Sequence, residues 1–296
     1  MRRNAVSFAV CVLLSVAMRP LASAGLIAAD GFLVGGSGYA TANLSGQNPT
    51  VAGFSGAWSG NTGTISAVNV GLEYPGQESS GGAARFHYGS NLGDSPRYLS
   101  RNLAAYDDTQ STYYFSGLMS FDETFSMAAG SFARMGFVNS ADDSGDTSGA
   151  QWGFKGNGAG VDAFVRIRDY SGGAAMNEYT IAQNIASGTH QFVVKVEPDV
   201  SGTTDAFSIW FDPVSLSSEA AAGIPTWSQN SLVWVPGNAS YLVRMLVLKT
   251  FSAGAGAAVG FDEARMGTTW ASVTPEPGTW LLLAMAVTCG LLVRRR

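Results

Sequence analysis

The side chains best suited to chemistry are few. Asp122-Glu123 and Asp262-Glu263 are adjacent acidic pairs, and Asp142, Asp143, Ser144 and Asp146 crowd one loop. Glycoside hydrolysis needs two carboxylates facing each other across the bond, about 5–5.5 Å apart for retention or about 6.5–9.5 Å for inversion. Neighbouring residues of a strand point to opposite faces, so neither adjacent pair meets that need. Hydrogen bonding at strand ends is the role expected of them, with Glu263 and Arg265 as a same-face ion pair. The acidic loop is a candidate Ca²⁺ site through Asp142, Asp143 and Asp146. Asp142 and Asp146 hold the first and fifth places of an EF-type pattern, which then fails. No Gly holds the sixth place, and Gly153 stands where a bidentate Glu belongs. A solvated acidic loop is the simpler reading.

His87 and His190 stand alone on their expected strands, and no Gly-x-Ser-x-Gly elbow accompanies them. A Ser–His–Asp triad stays open on sequence grounds. Two histidines and a body without cysteine argue against zinc. Trp58, Trp152, Trp210, Trp227, Trp234 and Trp270 could stack on sugars or fill a core. Trp210 is the candidate glycan platform, because Ile209 and Phe211 take the opposite face of its strand.

These residues belong to a middle segment between two hydrophobic ends. Arg2 and Arg3 precede an apolar run from Ala5 to Ala17, and Ala22-Ser23-Ala24 is a small-x-small cleavage site. That is the layout of a signal peptide spanning residues 1–24. Residues 273–296 hold Pro275-Glu276-Pro277, an uncharged apolar run of 14 residues from Trp280 to Val293, and then Arg294, Arg295 and Arg296. Fourteen helical residues reach about 21 Å, short of a hydrocarbon core about 30 Å thick. Arginines at such an end obey the positive-inside rule. The run would therefore be a marginal permanent anchor.

The body, residues 25–272, is expected to be one domain. Six of the 17 basic residues and one of the 22 acidic ones lie in the two ends, which leaves the body at a net charge of −10. Such a body argues against nucleic acid, whose binding relies on Lys and Arg neutralising phosphates. The chain's two cysteines, Cys11 and Cys289, lie outside it. No intramolecular disulfide can hold it, so the core must.

Many Gly residues (37 of 296), sparse charge and short alternating apolar segments read as all-β. Strands are expected over Thr64–Gly71, Ala83–Tyr88, Arg97–Leu103, Ser111–Asp122, Ser131–Val138, Ala150–Lys155, Val161–Arg168, His190–Glu197, Asp205–Asp212, Tyr241–Thr250 and Ala257–Met266. In Val161–Arg168, Asp162, Arg166 and Arg168 face out, and Phe164 breaks the polar face. Leu216–Gly223 suits a helical turn. The sum is about a dozen strands in an antiparallel sandwich.

The tail resembles the PEP-CTERM sorting signal of Gram-negative bacteria, in the motif at Pro275-Glu276-Pro277, the apolar run and the terminal arginines. The resemblance implies export, transient residence in the inner membrane and processing near the motif by an exosortase. It also implies delivery to the cell surface, often alongside exopolysaccharide. The body resembles concanavalin A-like (laminin-G-like) jelly-roll domains. The residues that carry this are Asn43–Asn48, Gly53–Trp58, Ser208–Pro213 and Phe261–Trp270. That implies an antiparallel jelly-roll sandwich, flanked by an N-terminal signal helix and a C-terminal hydrophobic helix. Retaining glucanases of this fold carry Glu-x-Asp-x-x-Glu, and the string is absent here. The expectation is an exported surface or matrix protein with a structural or adhesive role and no catalytic centre. A carbohydrate-binding module is the alternative, and a glycan-active enzyme the third reading.

Overall fold

The computed structural model describes residues 25–60, 65–77, 79–87, 97–105, 110–139, 149–169, 175–199, 204–232, 245–251 and 257–274. The signal peptide, the sorting tail and the Asp142, Asp143 and Asp146 loop lie outside the described residues, as do the two flanking helices expected with them. Among the described residues no helix is long and apolar enough to cross a membrane.

The strands are β1 (Leu26–Asp30), β2 (Phe54–Gly60), β3 (Ile65–Val68), β4 (Ala83–His87), β5 (Arg97–Leu103), β6 (Tyr113–Phe121), β7 (Phe132–Val138), β8 (Gly149–Gly156), β9 (Val161–Asp169), β10 (Ala175–Ala182), β11 (Gly188–Glu197), β12 (Asp205–Phe211), β13 (Trp227–Leu232), β14 (Met245–Phe251) and β15 (Ala258–Gly267). Two short helices are α1 (Glu219–Ala222) and α2 (Trp270–Val273). The first sheet runs β13-β12-β11-β6-β15-β4-β3, with β1 also paired to β15. The second runs β10-β9-β8-β7-β14-β5-β2. The paired strands are antiparallel in both.

The sheets stack into a β-sandwich because each strand alternates. In the second sheet Met135, Phe137, Trp152, Phe154, Val165 and Leu248 point inward. They meet Phe115, Phe121, Phe192, Val194 and Ile209 of the first sheet. Rings bridge the gap: Phe115 to Phe137 at 5.4 Å and Phe121 to Phe154 at 4.7 Å. Burying such side chains is worth about 1.5–3 kcal/mol each, which is how a body without disulfides holds together.

The first sheet's outer face is roofed. Tyr114, Val193 and Trp210 pack under Ala222 of α1 and under Trp270 and Val273 of α2. Thr269 caps α2 through a capping box with Ser272. Farther along, Leu72 covers Ala83 and Leu118.

The expected strands are present with small end shifts, and Tyr241–Thr250 is described from Met245, central between β5 and β7. The structure adds β1, β10 and β13, and it resolves β2 within Asp30–Gly63, a Gly/Ser/Asn-rich stretch that reads as short strands and loops. Three of these, β2, β10 and β13, are sheet edges. An edge strand buries little, so its apolar alternation fades, as in the Trp-Ser-Gln-Asn-Ser-Leu of β13.

Candidate functional site: the outer face of the second sheet

The register of the second sheet sets three rows of side chains across its outer face. One row is Tyr98, Lys249, Arg134, Gly153, Phe164 and Thr180. The next is Ser100, Val247, Gly136, Gln151, Arg166 and Glu178. The third is Phe251, Phe132, Lys155 and Asp162. These are the alternate positions of strands whose other phase fills the core. The two central glycines let the backbones of β7 and β8 approach closely, and the side chains around them on this face are buried. A Cβ at Gly136 would lie 2.6 Å from the Gln151 Cα, and one at Gly153 would lie 2.7 Å from the Arg134 Cα.

The face is cationic in an acidic body. Among the described side chains Arg134, Lys155, Arg166 and Lys249 occupy its strand positions, four of the body's eleven basic residues. Among the described side chains Asp162 and Glu178 are the acids that do so. Arg134 and Lys249 are set deep, at 1% and 5% exposure. The Arg134 guanidinium lies 4.4 Å from the Phe132 ring centre, and the Lys249 ammonium 5.8 Å from that of Tyr98.

At the flank a hollow of about 400 Å³ opens between Phe132, Lys155, Asp162, Phe164 and Glu178. Lys155 lines it with a partly exposed side chain, and Glu178 lies 3.9 Å from Lys155 and 3.8 Å from Arg166, which stands outside the hollow. The Lys155 ammonium also lies 5.6 Å from the Phe164 ring centre. Asp162 is committed elsewhere. Its Oδ1 accepts from Asn157 Nδ2 at 2.7 Å and from the Asn184 backbone N–H at 3.0 Å. Phe164 is itself 1% exposed, so the hollow offers one cation, Lys155, part of the Phe132 ring and the half-exposed carboxylate of Glu178.

No family model and no curated protein matches the chain. Several solved structures are similar to it at low identity. A carbohydrate esterase from the Shiga toxin-encoding bacteriophage phi24B matches at 12% identity and a TM-score of 0.45, over 72% of this chain and 90% of its own. A pseudo β-1,3-glucanase of Mycobacterium tuberculosis matches at 14% identity and 0.45, over 83% and 99%. An alginate lyase from Chlorella virus matches at 12% and 0.43, over 67% and 87%. The chemistry of the face rests on this chain's own residues.

The residues singled out from sequence go elsewhere. Trp210 is 3% exposed, so it is not the open glycan platform expected of it. It does point away from Ile209 and Phe211, but that face is roofed. Its Nε1 donates to the Gly223 carbonyl at 2.9 Å, and its ring meets Trp270 edge-on at 5.1 Å. Trp58, Trp152 and Trp270 are buried too, and Trp227 packs on Tyr179 at 4.7 Å.

Asp122 has the strand-end role expected, accepting from Thr124 and from the Ala258 N–H at 3.0 Å. Asp262 and Glu263 depart from the opposite-face expectation. The ladder slips between Asp262 and Arg265, and Glu263 adopts φ 48°. This bulge lets both carboxylates serve one loop. Asp262 Oδ2 accepts from the Leu72 N–H at 2.8 Å, and Glu263 Oε1 from the Ser80 N–H at 2.6 Å. The expected Glu263–Arg265 pair forms at 2.7 Å. Burial, reinforced by the Glu263 charge, pushes the Asp262 pKa up to about 9 against the pull of its backbone donors.

His190 meets Asp212 at 2.7 Å through Nδ1. Its Nε2 faces the Ala186 carbonyl at 2.9 Å, so that nitrogen is held as a donor and is committed. A triad base would need it free to take a proton from a nucleophile. His87, at the end of β4, is exposed.

Sequence reasoning missed the cationic face as a unit. The signal was present in the outward phase of β9, where Asp162 and Arg166 share a face with Phe164 as expected. What it lacked was the register that places Lys155, Arg134 and Lys249 beside them.

Proposed function

We propose that the protein is an exported surface or matrix protein, delivered through its C-terminal sorting signal, with a structural and adhesive jelly-roll body. The observation that carries this reading is the closure of the body between the two processing signals. Strand β1 begins at Leu26 and pairs with β15, and the Gly25 carbonyl accepts from the Thr268 N–H at 2.8 Å. At the other end Thr274 donates its hydroxyl to the Leu216 carbonyl at 3.1 Å, and Ser116 holds the Val273 carbonyl at 2.6 Å. Cleavage after Ala24 and processing near Pro275-Glu276-Pro277 would therefore leave every described strand of the sandwich in place. The exosortase reading rests on the tail's sequence alone.

The test is fractionation of cells that make the protein. Replacing Glu276, or deleting Arg294, Arg295 and Arg296, should leave an unprocessed precursor in the inner membrane. Unchanged surface delivery would refute the sorting claim. A second reading, a carbohydrate-binding module, is favoured by the hollow at Phe132, Lys155 and Glu178, where part of one ring lies beside polar groups.

A further inference from the structure

We infer that the roof over the first sheet, through Val214 and Ile224, docks on the lipid surface of the membrane that holds the sorting tail. The inference rests on the sorting reading above and adds which face of the body meets the bilayer. Val214 and Ile224 are 87% and 92% exposed, the two most exposed large apolar side chains among the described residues. A single exposed apolar side chain is ordinary. The position of these two carries the argument.

Both stand on the segment that holds the root of the tail. Thr274 is buried, and its hydroxyl donates to the Leu216 carbonyl at 3.1 Å. Trp270 Nε1 donates to the same carbonyl at 2.8 Å. Val214 comes two residues before Leu216. The Trp270 ring meets Trp210 at 5.1 Å, and Trp210 Nε1 donates to the Gly223 carbonyl at 2.9 Å. Ile224 is the next residue. The Val273 carbonyl accepts from Ser116, the fourth residue of β6, at 2.6 Å. Thr274 therefore stands over the face of the sheet rather than beyond its strand ends. The front of the body comes close by, since the Gly25 carbonyl accepts from the Thr268 N–H just before α2.

Reach then fixes the orientation. Pro275 to Thr279 separate Thr274 from the apolar run that starts at Trp280. Six Cα steps span at most about 22 Å. A body of this length has a radius of gyration of about 18 Å. So short a tether cannot bring the far sheet to the bilayer, and the roof is the face held against it.

The roof's chemistry suits lipid. From Pro213 to Thr226 the one charged residue is Glu219. It is turned to the body, accepting from the Tyr114 hydroxyl and from Lys195 at 3.1 Å. Residues 270–274 carry no charge. An uncharged segment with projecting apolar side chains can enter the interfacial layer. The body's net charge of −10 sets the kind of lipid, as does exposed Glu73, whose neighbour Tyr74 has its hydroxyl 3.5 Å from the Pro213 carbonyl. Anionic headgroups would repel this face, and zwitterionic ones would not.

The test uses the full chain in phosphatidylcholine vesicles, with an environment-sensitive dye on one cysteine at a time. Val214→Cys, Ile224→Cys and Met127→Cys are each made with Cys11→Ser and Cys289→Ser, and a fourth chain carries Cys11→Ser and keeps Cys289. Met127 is 52% exposed and follows the end of β6 opposite to Tyr114, where β15 leads into α2, so it is the control. The dyes at 214 and 224 should emit at shorter wavelength and be quenched by lipids spin-labelled near the headgroup. The dye at 127 should stay water-like, and the one on Cys289 should be quenched by labels deep in the acyl chains. Water-like emission at 214 and 224 beside a lipid-quenched Cys289 would overturn the inference and leave the sorting tail standing. An unquenched Cys289 would overturn the tail reading and the inference with it. Quenching at 127 equal to that at 214 and 224 would overturn the inference too. So would a shift at 214 and 224 without lipid quenching, the mark of a second copy of the chain. Added phosphatidylglycerol should weaken the quenching at 214 and 224. Stronger quenching would refute an uncharged contact.

Discussion

His190 and Asp212 form a closed pair, with Nδ1 2.7 Å from Oδ2 and the second ring nitrogen given to a backbone carbonyl. Both nitrogens face acceptors, so the pair favours imidazolium. The ring is wedged among Phe121, Phe154 and Phe211 at centroid distances of 6.0, 5.6 and 5.1 Å. Burial pulls its pKa down, but Asp212, by hydrogen bond and charge, and the Ala186 carbonyl together raise it above 6.5. The raised value means that this stabilisation is fully present below pH 6.5 and is lost as pH rises through the folded pKa. An NMR titration of the imidazole should show a midpoint above 6.5. In Asp212→Asn the midpoint should fall below 6.5, because burial then acts with less opposition. The variant should also lose about 1–3 kcal/mol, since the Gln191 N–H shares that carboxylate.

Asp262 gives a pH dependence over a wider window. Its folded pKa of about 9 stands above the ordinary 3.8. Between those values the folded chain holds a proton that the unfolded chain has released, so stability falls as pH rises from about 4 to about 9. Asp262→Asn removes that ionisation and keeps a carbonyl oxygen for the Leu72 N–H. Its unfolding free energy should fall less steeply over the window than the parent's, by urea titration at several pH values. Parallel curves would show that Asp262 does not ionise there.

The core was legible from sequence because one periodicity decides it. Val161, Ala163, Val165 and Ile167 had to share a face, and they do. Asp262 and Glu263 were not legible in the same way. Strand periodicity puts them on opposite faces, and only the bulge at Glu263, which no single residue type announces, brings both to the loop at Leu72 and Ser80. Trp210 failed for a related reason. Its face was read correctly, but α1 and α2 cover that face from sequence positions beyond the strand. A row such as Lys249, Arg134, Gly153 and Phe164 draws one residue from each of four strands, so it exists only once the register is known.

Trp270 fastens the end of the body. Its Nε1 donates to the Leu216 carbonyl at 2.8 Å, and its ring meets Tyr114 and Trp210 edge-on. Trp270→Ala should cost about 3–5 kcal/mol, as large-to-small changes in packed sites do. Trp270→Phe should cost less than half of that. The lost N–H leaves no orphan, because the Thr274 hydroxyl still donates to the same carbonyl. Thermal unfolding of both variants checks the ratio, and equal losses would mean that the hydrogen bond, not the ring, holds α2.

Gly153 and Gly117 separate two kinds of glycine. A methyl group at Gly153 would lie 2.7 Å from the Arg134 Cα and closer still to the Ala133 carbonyl oxygen, both backbone atoms of β7. Neither can yield without parting β7 from β8 in the middle of the second sheet. A methyl group at Gly117 would instead meet the Met135 thioether, with Sδ at 3.0 Å and Cε closer. That is the end of a flexible side chain, which can turn aside. Gly153→Ala should therefore cost about 1–3 kcal/mol or more, at the upper end for overpacking, and Gly117→Ala distinctly less. Gly136→Ala should behave like Gly153→Ala, because it meets the Gln151 backbone in the same way. Urea denaturation of the three variants gives the order. If Gly117→Ala proved the most damaging, the close approach of β7 and β8 would not be the constraint that holds positions 136 and 153 as glycine.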